Sequence, residues 1–127
     1  MSRLLLSLLT CCVAITAIAA PLPPASKAEI DGLLVRLANS GCEFNRNGTW
    51  YTAVEAKSHL SQKLKYLEDR GMVQTPEQFI ELAASGSSMS GQPYLVRCAN
   101  GAPVQSSQWL RTELKELRSA TRAKGVP

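Results

Sequence analysis

A single histidine, no Cys-x-x-Cys pair and no basic run denser than Lys63-Leu64-Lys65 mark what this sequence lacks. Each absence removes a class of chemistry. One histidine without a nearby cysteine or carboxylate pattern cannot complete a zinc coordination shell, so no metal is implied and no cofactor is expected. Dithiol redox catalysis lacks its usual spacing. The formal charge of +4 is mild and spread along the chain, whereas nucleic-acid binders gather Lys and Arg on one face, so no nucleic acid is expected as a partner. Neither Gly-x-Ser-x-Gly nor Ser-x-x-Lys occurs in a convincing context, and no pair of acidic residues has a setting for glycosidic acid–base work. No arrangement in the chain rises to a catalytic signature.

What is present begins with a leader. Arg3, the apolar run Leu4 to Ile18 and the small-residue segment Ala17-Ile18-Ala19 predict a secretory signal over residues 1–19, cut after Ala19. Cleavage one position later would leave Pro21 directly behind the cut. Ser7, Thr10 and Thr16 interrupt the run, which is shorter than the ~18 to 20 residues a span requires, so no stable membrane span is expected after processing. Cys11 and Cys12 fall inside the leader, and Thr10 before Cys11 makes a poor lipidation site.

Residues 20–127 then form a single small domain, with its core at about 26–122. It keeps 13 basic and 10 acidic side chains, a formal charge of +3. Its two cysteines, Cys42 and Cys98, would meet an oxidising compartment, where an even pair in a small exported domain is most simply a disulfide. Closing that loop removes unfolded-chain entropy worth roughly 4 kcal/mol.

Along the domain, the prolines of Pro21 to Pro24 predict an extended leader segment. Ser26-Lys27-Ala28-Glu29 reads as a capping box, and Ile30, Leu33, Leu34, Leu37 and Ala38 follow as one helical stripe ending at Gly41. The period then changes to two. Cys42, Phe44 and Trp50 flank Asn45-Arg46-Asn47-Gly48, a tight-turn signal that predicts a β-hairpin. That turn explains Asn47-Gly48-Thr49 without invoking a glycan. Thr52-Ala53-Val54-Glu55 opens a second helix with Ala53, Ala56, Leu60, Leu64 and Leu67 inward, ended by Gly71. Thr75-Pro76-Glu77-Gln78 opens a third, with Phe79, Ile80, Leu82 and Ala83 expected to be buried. A Ser/Gly-rich loop leads into a strand over Tyr94 to Cys98, Asn100 to Pro103 turn the chain, and a last helix starts near Ser106 and carries Leu110, Leu114 and Leu117. The fold class is α+β: four helices with a small antiparallel sheet, one hairpin plus one later strand, and one disulfide.

Polar residues with capacity for chemistry are few. His59 and Lys63 are spaced to neighbour each other on one helix edge, either as a cationic ridge able to hold an anion or as a solvated flank. Ser87, Ser88 and Ser90 lie between Gly86 and Gly91, so this loop can bring backbone N–H groups to a ligand, or simply turn. Arg46 is expected to be exposed at the hairpin tip, and Trp50, Tyr51, Tyr94 and Trp109 read as core or rim packing.

Ser40-Gly41-Cys42, Phe44, Arg46-Asn47-Gly48, Tyr51, His59-Leu60 with Lys63, Ser90-Gly91 with Pro93-Tyr94, and Trp109-Leu110 together resemble a family of short exported bacterial proteins of unknown function, over roughly Ala28 to Arg118. The resemblance implies a bacterial envelope location, periplasmic or secreted, and leads one to expect Cys98 after the Tyr-Leu-Val strand. It supplies no activity. The expectation is a non-enzymatic binding or interaction module whose ligand-binding residues are Arg46, His59, Lys63, Ser88, Ser90 and Tyr94, with an envelope protein or a small anionic ligand as partner. The alternative is a small serine-dependent hydrolase or transferase using Ser88 or Ser90 with His59.

Overall fold

Helix α1 (Pro24–Ala38) begins on a proline, the residue whose missing N–H would have been an orphan there. In this computed structural model, which describes residues 10–15 and 20–125, the start predicted at the Ser26 capping box is therefore too late. Pro23, extended at ψ 144°, is the N-cap, and the Lys27 N–H already bonds its carbonyl. Glu29 has no capping to do and instead accepts from Arg118 Nε of the last helix at 2.7 Å. Most of the expected leader over residues 1–19 lies outside the described residues. Among the described residues, no helix is long and apolar enough to cross a membrane.

The predicted stripe of α1 is buried at Ile30, Leu33, Leu34 and Leu37. The chain then reverses through Gly41, at φ +69°, into strand β1 (Glu43–Arg46). Asn47 and Gly48 both take positive φ, 51° and 85°, which is what a two-residue hairpin turn matched to strand twist requires. Strand β2 (Thr49–Thr52) follows, and Thr52 opens helix α2 (Ala53–Asp69) with both arms of the expected capping box formed. Helix α3 (Pro76–Ala83) is capped by Thr75, whose hydroxyl accepts from the Gln78 N–H at 3.1 Å. Its Phe79, Ile80 and Ala83 are fully buried, but Leu82 is 42% exposed, contrary to expectation. The other three already occupy the side facing the core, and Leu82 falls off that stripe.

Strand β3 (Leu95–Arg97) and helix α4 (Ser106–Lys124) lie where predicted, and a further strand precedes the helix: β4 (Val104–Gln105). Two residues are too few to display a period of two. The four strands form one antiparallel sheet in the order β2-β1-β3-β4. Phe44 and Val96 meet across the sheet and face the helices, joining Leu60, Leu64, Ile30, Leu33, Phe79 and Ile80 in a single core. Ser106 is fully buried, its hydroxyl donating to Ala84 O at 2.7 Å and its N–H to Tyr94 O at 2.8 Å, so α4 is fastened to the sheet through polar groups that leave nothing unpaired. The architecture is α+β, as the sequence predicts.

In the β1–β3 pairing Glu43 faces Arg97 and Phe44 faces Val96. One step outward, that register sets Cys42 opposite Cys98, and the two are joined by a disulfide with Cα atoms 4.2 Å apart. Replacing both cysteines with serine, or adding reductant, is expected to lower stability by about 2 to 4 kcal/mol in urea unfolding. An unchanged midpoint under reducing conditions would show that the link does not limit the unfolded chain.

Candidate functional site

The alternation of β1 decides where Arg46 goes. Two residues beyond Phe44, it shares the strand face that looks toward α2, so it is half-buried and folded onto the helix rather than exposed at the hairpin tip. Its Nη1 reaches His59 Nδ1 at 2.7 Å, and its guanidinium lies 5.3 Å from the centre of the Tyr51 ring. Arginine offers only hydrogens, so Nδ1 is an acceptor and the imidazole is neutral, with its proton on Nε2. The same Nη1 lies 3.2 Å from Nε2, but the shorter contact assigns the tautomer.

His59 Nε2 then donates to Tyr94 Oη at 3.2 Å, and Lys63 Nζ, one turn along α2, donates to the same oxygen at 3.1 Å and to Gly86 O at 3.1 Å. With both lone pairs of Oη used, the Tyr94 hydroxyl hydrogen has no acceptor among these neighbours. Burial, with the charges of Arg46 and Lys63 behind it, lowers the His59 pKa from its ordinary value. Lys63 is lowered by burial and then by Arg46, and burial raises the Tyr94 hydroxyl, opposed by Arg46.

Of the residues singled out in the sequence, Arg46, His59, Lys63 and Tyr94 converge on one hydrogen-bonded cluster. Ser88 lines the cleft beside His59 and Lys63. Ser90 points elsewhere: its hydroxyl donates to Asn47 Oδ1 at 2.6 Å, while Asn47 Nδ2 donates to Ser87 Oγ at 3.3 Å. The loop is thereby latched to the hairpin turn, and Asn47 and Ser87 are the residues that sequence reasoning missed in this role. The N–H groups of Ser87, Met89, Ser90, Gly91 and Gln92 are all bonded within the loop. The Ser88 N–H is not among them, and Ser88 is the loop residue that borders the cleft. No hydrogen bond joins His59 to Ser88 or Ser90, since both ring nitrogens are already engaged.

Two clefts flank the His59–Gln62 ridge of α2. One, of about 310 Å³, lies between Arg46, Tyr51 and His59; the other, of about 360 Å³, is bounded by His59, Lys63, Tyr66, Leu82 and Ser88. Glu55, at the rim of the first, already accepts the Thr52 N–H at 2.9 Å. Among the described residues no group of three or more His, Cys, Asp and Glu side chains lies together as a metal site would require.

Protonating His59 would turn Nδ1 into a donor facing a donor. Its folded-state pKa therefore lies below the unfolded value of about 6.5, and as pH falls the unfolded chain takes up the proton first. Stability from this group is complete above that value and is lost as pH falls through the lowered folded-state pKa. Urea unfolding of wild type is expected to weaken between pH 7.5 and pH 5, and His59→Gln to weaken less over the same interval. Identical slopes in the two proteins would contradict a lowered His59 pKa in the folded protein.

The sequence pattern of a family of unknown function (DUF5329) matches residues 24–118 of this chain. An uncharacterized protein of Salmonella typhimurium, YfeK, is 42% identical over 69 residues, which cover 54% of this chain and 56% of YfeK. The match thus spans about half the length of that curated relative. No solved structure matches the chain.

Proposed function

The chain belongs to DUF5329, a family of unknown function, and on that premise we propose that it is an exported, non-enzymatic binding domain that takes a small anionic ligand beside His59. The observation that carries this reading is a contrast between cations. Arg36 is paired with Glu113 and Glu116, Arg97 with Glu43, and Arg118 with Glu29 and Glu77. Arg46 on the His59 imidazole and Lys63 on the Tyr94 hydroxyl are instead half-buried at one hydrogen-bonded cluster, with no carboxylate among the described residues in ion-pair contact.

Holding two half-buried positive charges near each other is unfavourable unless something negative arrives. A ligand carboxylate or phosphate would supply it. Clefts of about 310 and 360 Å³ lie at the low end for small-molecule sites, which favours a small anion over an envelope protein. Periplasmic or secreted location is argued from the leader-like N-terminus and from the Cys42–Cys98 bond, which suits an oxidising compartment. The serine-hydrolase alternative finds less support, because its only candidate base already spends both nitrogens on Arg46 and Tyr94.

Titration calorimetry with acetate and with inorganic phosphate is expected to give saturable binding to the mature protein. Lys63→Gln and Arg46→Gln should each weaken it by about tenfold or more, the worth of a charge-assisted hydrogen bond, measured at a temperature where each variant is folded. Failure of wild type to bind either anion would remove the proposal. For the address, fractionation followed by N-terminal sequencing is expected to find the mature chain outside the cytoplasm, beginning at Ala20. A full-length cytoplasmic protein would overturn it.

A further inference from the structure

We infer that the ligand is a small carboxylate carrying an apolar tail, with its charged end at Lys63 and its tail along Tyr66 and Leu82; this rests on the anion site proposed above and specifies what occupies it. Three observations converge on that chemistry.

The first concerns the head group. The cleft offers the Lys63 ammonium beside a neutral histidine, while Arg46 lines the other cleft, and the ammonium already donates to Gly86 O and Tyr94 Oη, which leaves one hydrogen for a ligand. Phosphate, with more charge and more acceptor oxygens, is usually met by a cradle of backbone N–H groups. Here the loop that would form such a cradle has turned the N–H groups of Ser87, Met89, Ser90, Gly91 and Gln92 inward onto its own oxygens, so that beside the cleft only the single N–H of Ser88 is left, too few for a cradle. The donors that line this cleft, the Lys63 ammonium and the Ser88 hydroxyl, match the two oxygens of a carboxylate.

The second concerns the walls. Leu82 is 42% exposed and Tyr66 56% exposed, and both border the same cleft as Lys63 and His59. A scattered exposed leucine needs no explanation. Two large apolar side chains from different helices, set around the cleft that holds an unpaired ammonium, form an amphipathic receptacle. Neither is required by the core, which Phe79, Ile80, Ala83, Leu64 and Leu67 complete without them. The Arg70 guanidinium stacks 3.5 Å from the Tyr66 ring centre, which restrains the ring.

The third is size. At about 360 Å³ the cleft admits a short acyl chain or a single aromatic ring beyond the carboxylate, and not a folded partner's surface.

The test is a chain-length series on the mature protein: acetate, butanoate and hexanoate, with inorganic phosphate alongside, by calorimetry at fixed pH and ionic strength. Each added methylene is expected to tighten binding by about fourfold, the transfer free energy of a buried CH₂. Leu82→Ser and Tyr66→Ser should flatten that series while leaving the acetate affinity where it was. Equal affinities for acetate and hexanoate, or a series unaltered by both substitutions, would overturn the apolar-tail inference and leave the anion site standing. Phosphate binding tighter than hexanoate would overturn the choice of head group. Silence from all four probes would instead remove the anion site itself.

Discussion

A tyrosine ring that is 2% exposed has to bring partners for its hydroxyl into the interior with it. Tyr94 is where that constraint acts. Its ring packs 5.1 Å from the Phe44 ring, its N–H bonds Ser85 O, and its carbonyl accepts the N–H that opens α4. The hydroxyl end lies beneath α2, where His59 and Lys63 meet it. Satisfying one buried oxygen thus fixes the faces of two helical side chains, and Lys63 in turn reaches over to Gly86 and holds the base of the loop. Core packing and the candidate site are consequently one structure, not a scaffold with a site added.

Much of this was legible before any coordinates. The Thr52 and Thr75 caps, the Asn-Gly turn, the α1 and α2 stripes and the cysteine pair all rest on local rules, and the structure follows them. The exceptions share a cause, which is that tertiary partners settled what local preference left open. Ser26 has the chemistry of an N-cap, but Pro24 can start the helix earlier, and Glu29 is worth more against Arg118. Leu82 is apolar in a short helix, and only the positions of Phe79 and Ile80 reveal that it faces outward. The strand at Val104–Gln105 exists because β3 has an open edge beside it, which two residues of sequence cannot announce.

The site was legible in its members and not in its connections. His59 and Lys63 are neighbours by helical spacing, and that much follows from four residues of separation. Their convergence on Tyr94, and Arg46's turn from hairpin tip to helix, depend on which strand face meets α2. Ser87 was counted with its neighbours as a loop serine; it accepts two N–H groups within its own loop, but its role as acceptor for Asn47 depends on a contact 40 residues apart. Such pairings leave no periodic trace.

One numerical relation in the sequence does foreshadow the geometry. Arg46 lies four residues after Cys42, and Tyr94 lies four residues before Cys98. In an antiparallel pair whose register sets Cys42 opposite Cys98, equal offsets must also set Arg46 opposite Tyr94, and the observed pairing of Phe44 with Val96 is the midpoint of that same ladder. All six side chains lie on one face, because every separation along each strand is even. A slip by one residue would turn Arg46 and Tyr94 away from α2 together. The covalent bond at one end of the ladder therefore holds the alignment that assembles the cluster at the other, and a domain of this size, with little core to enforce register by burial alone, has a physical reason to keep that bond.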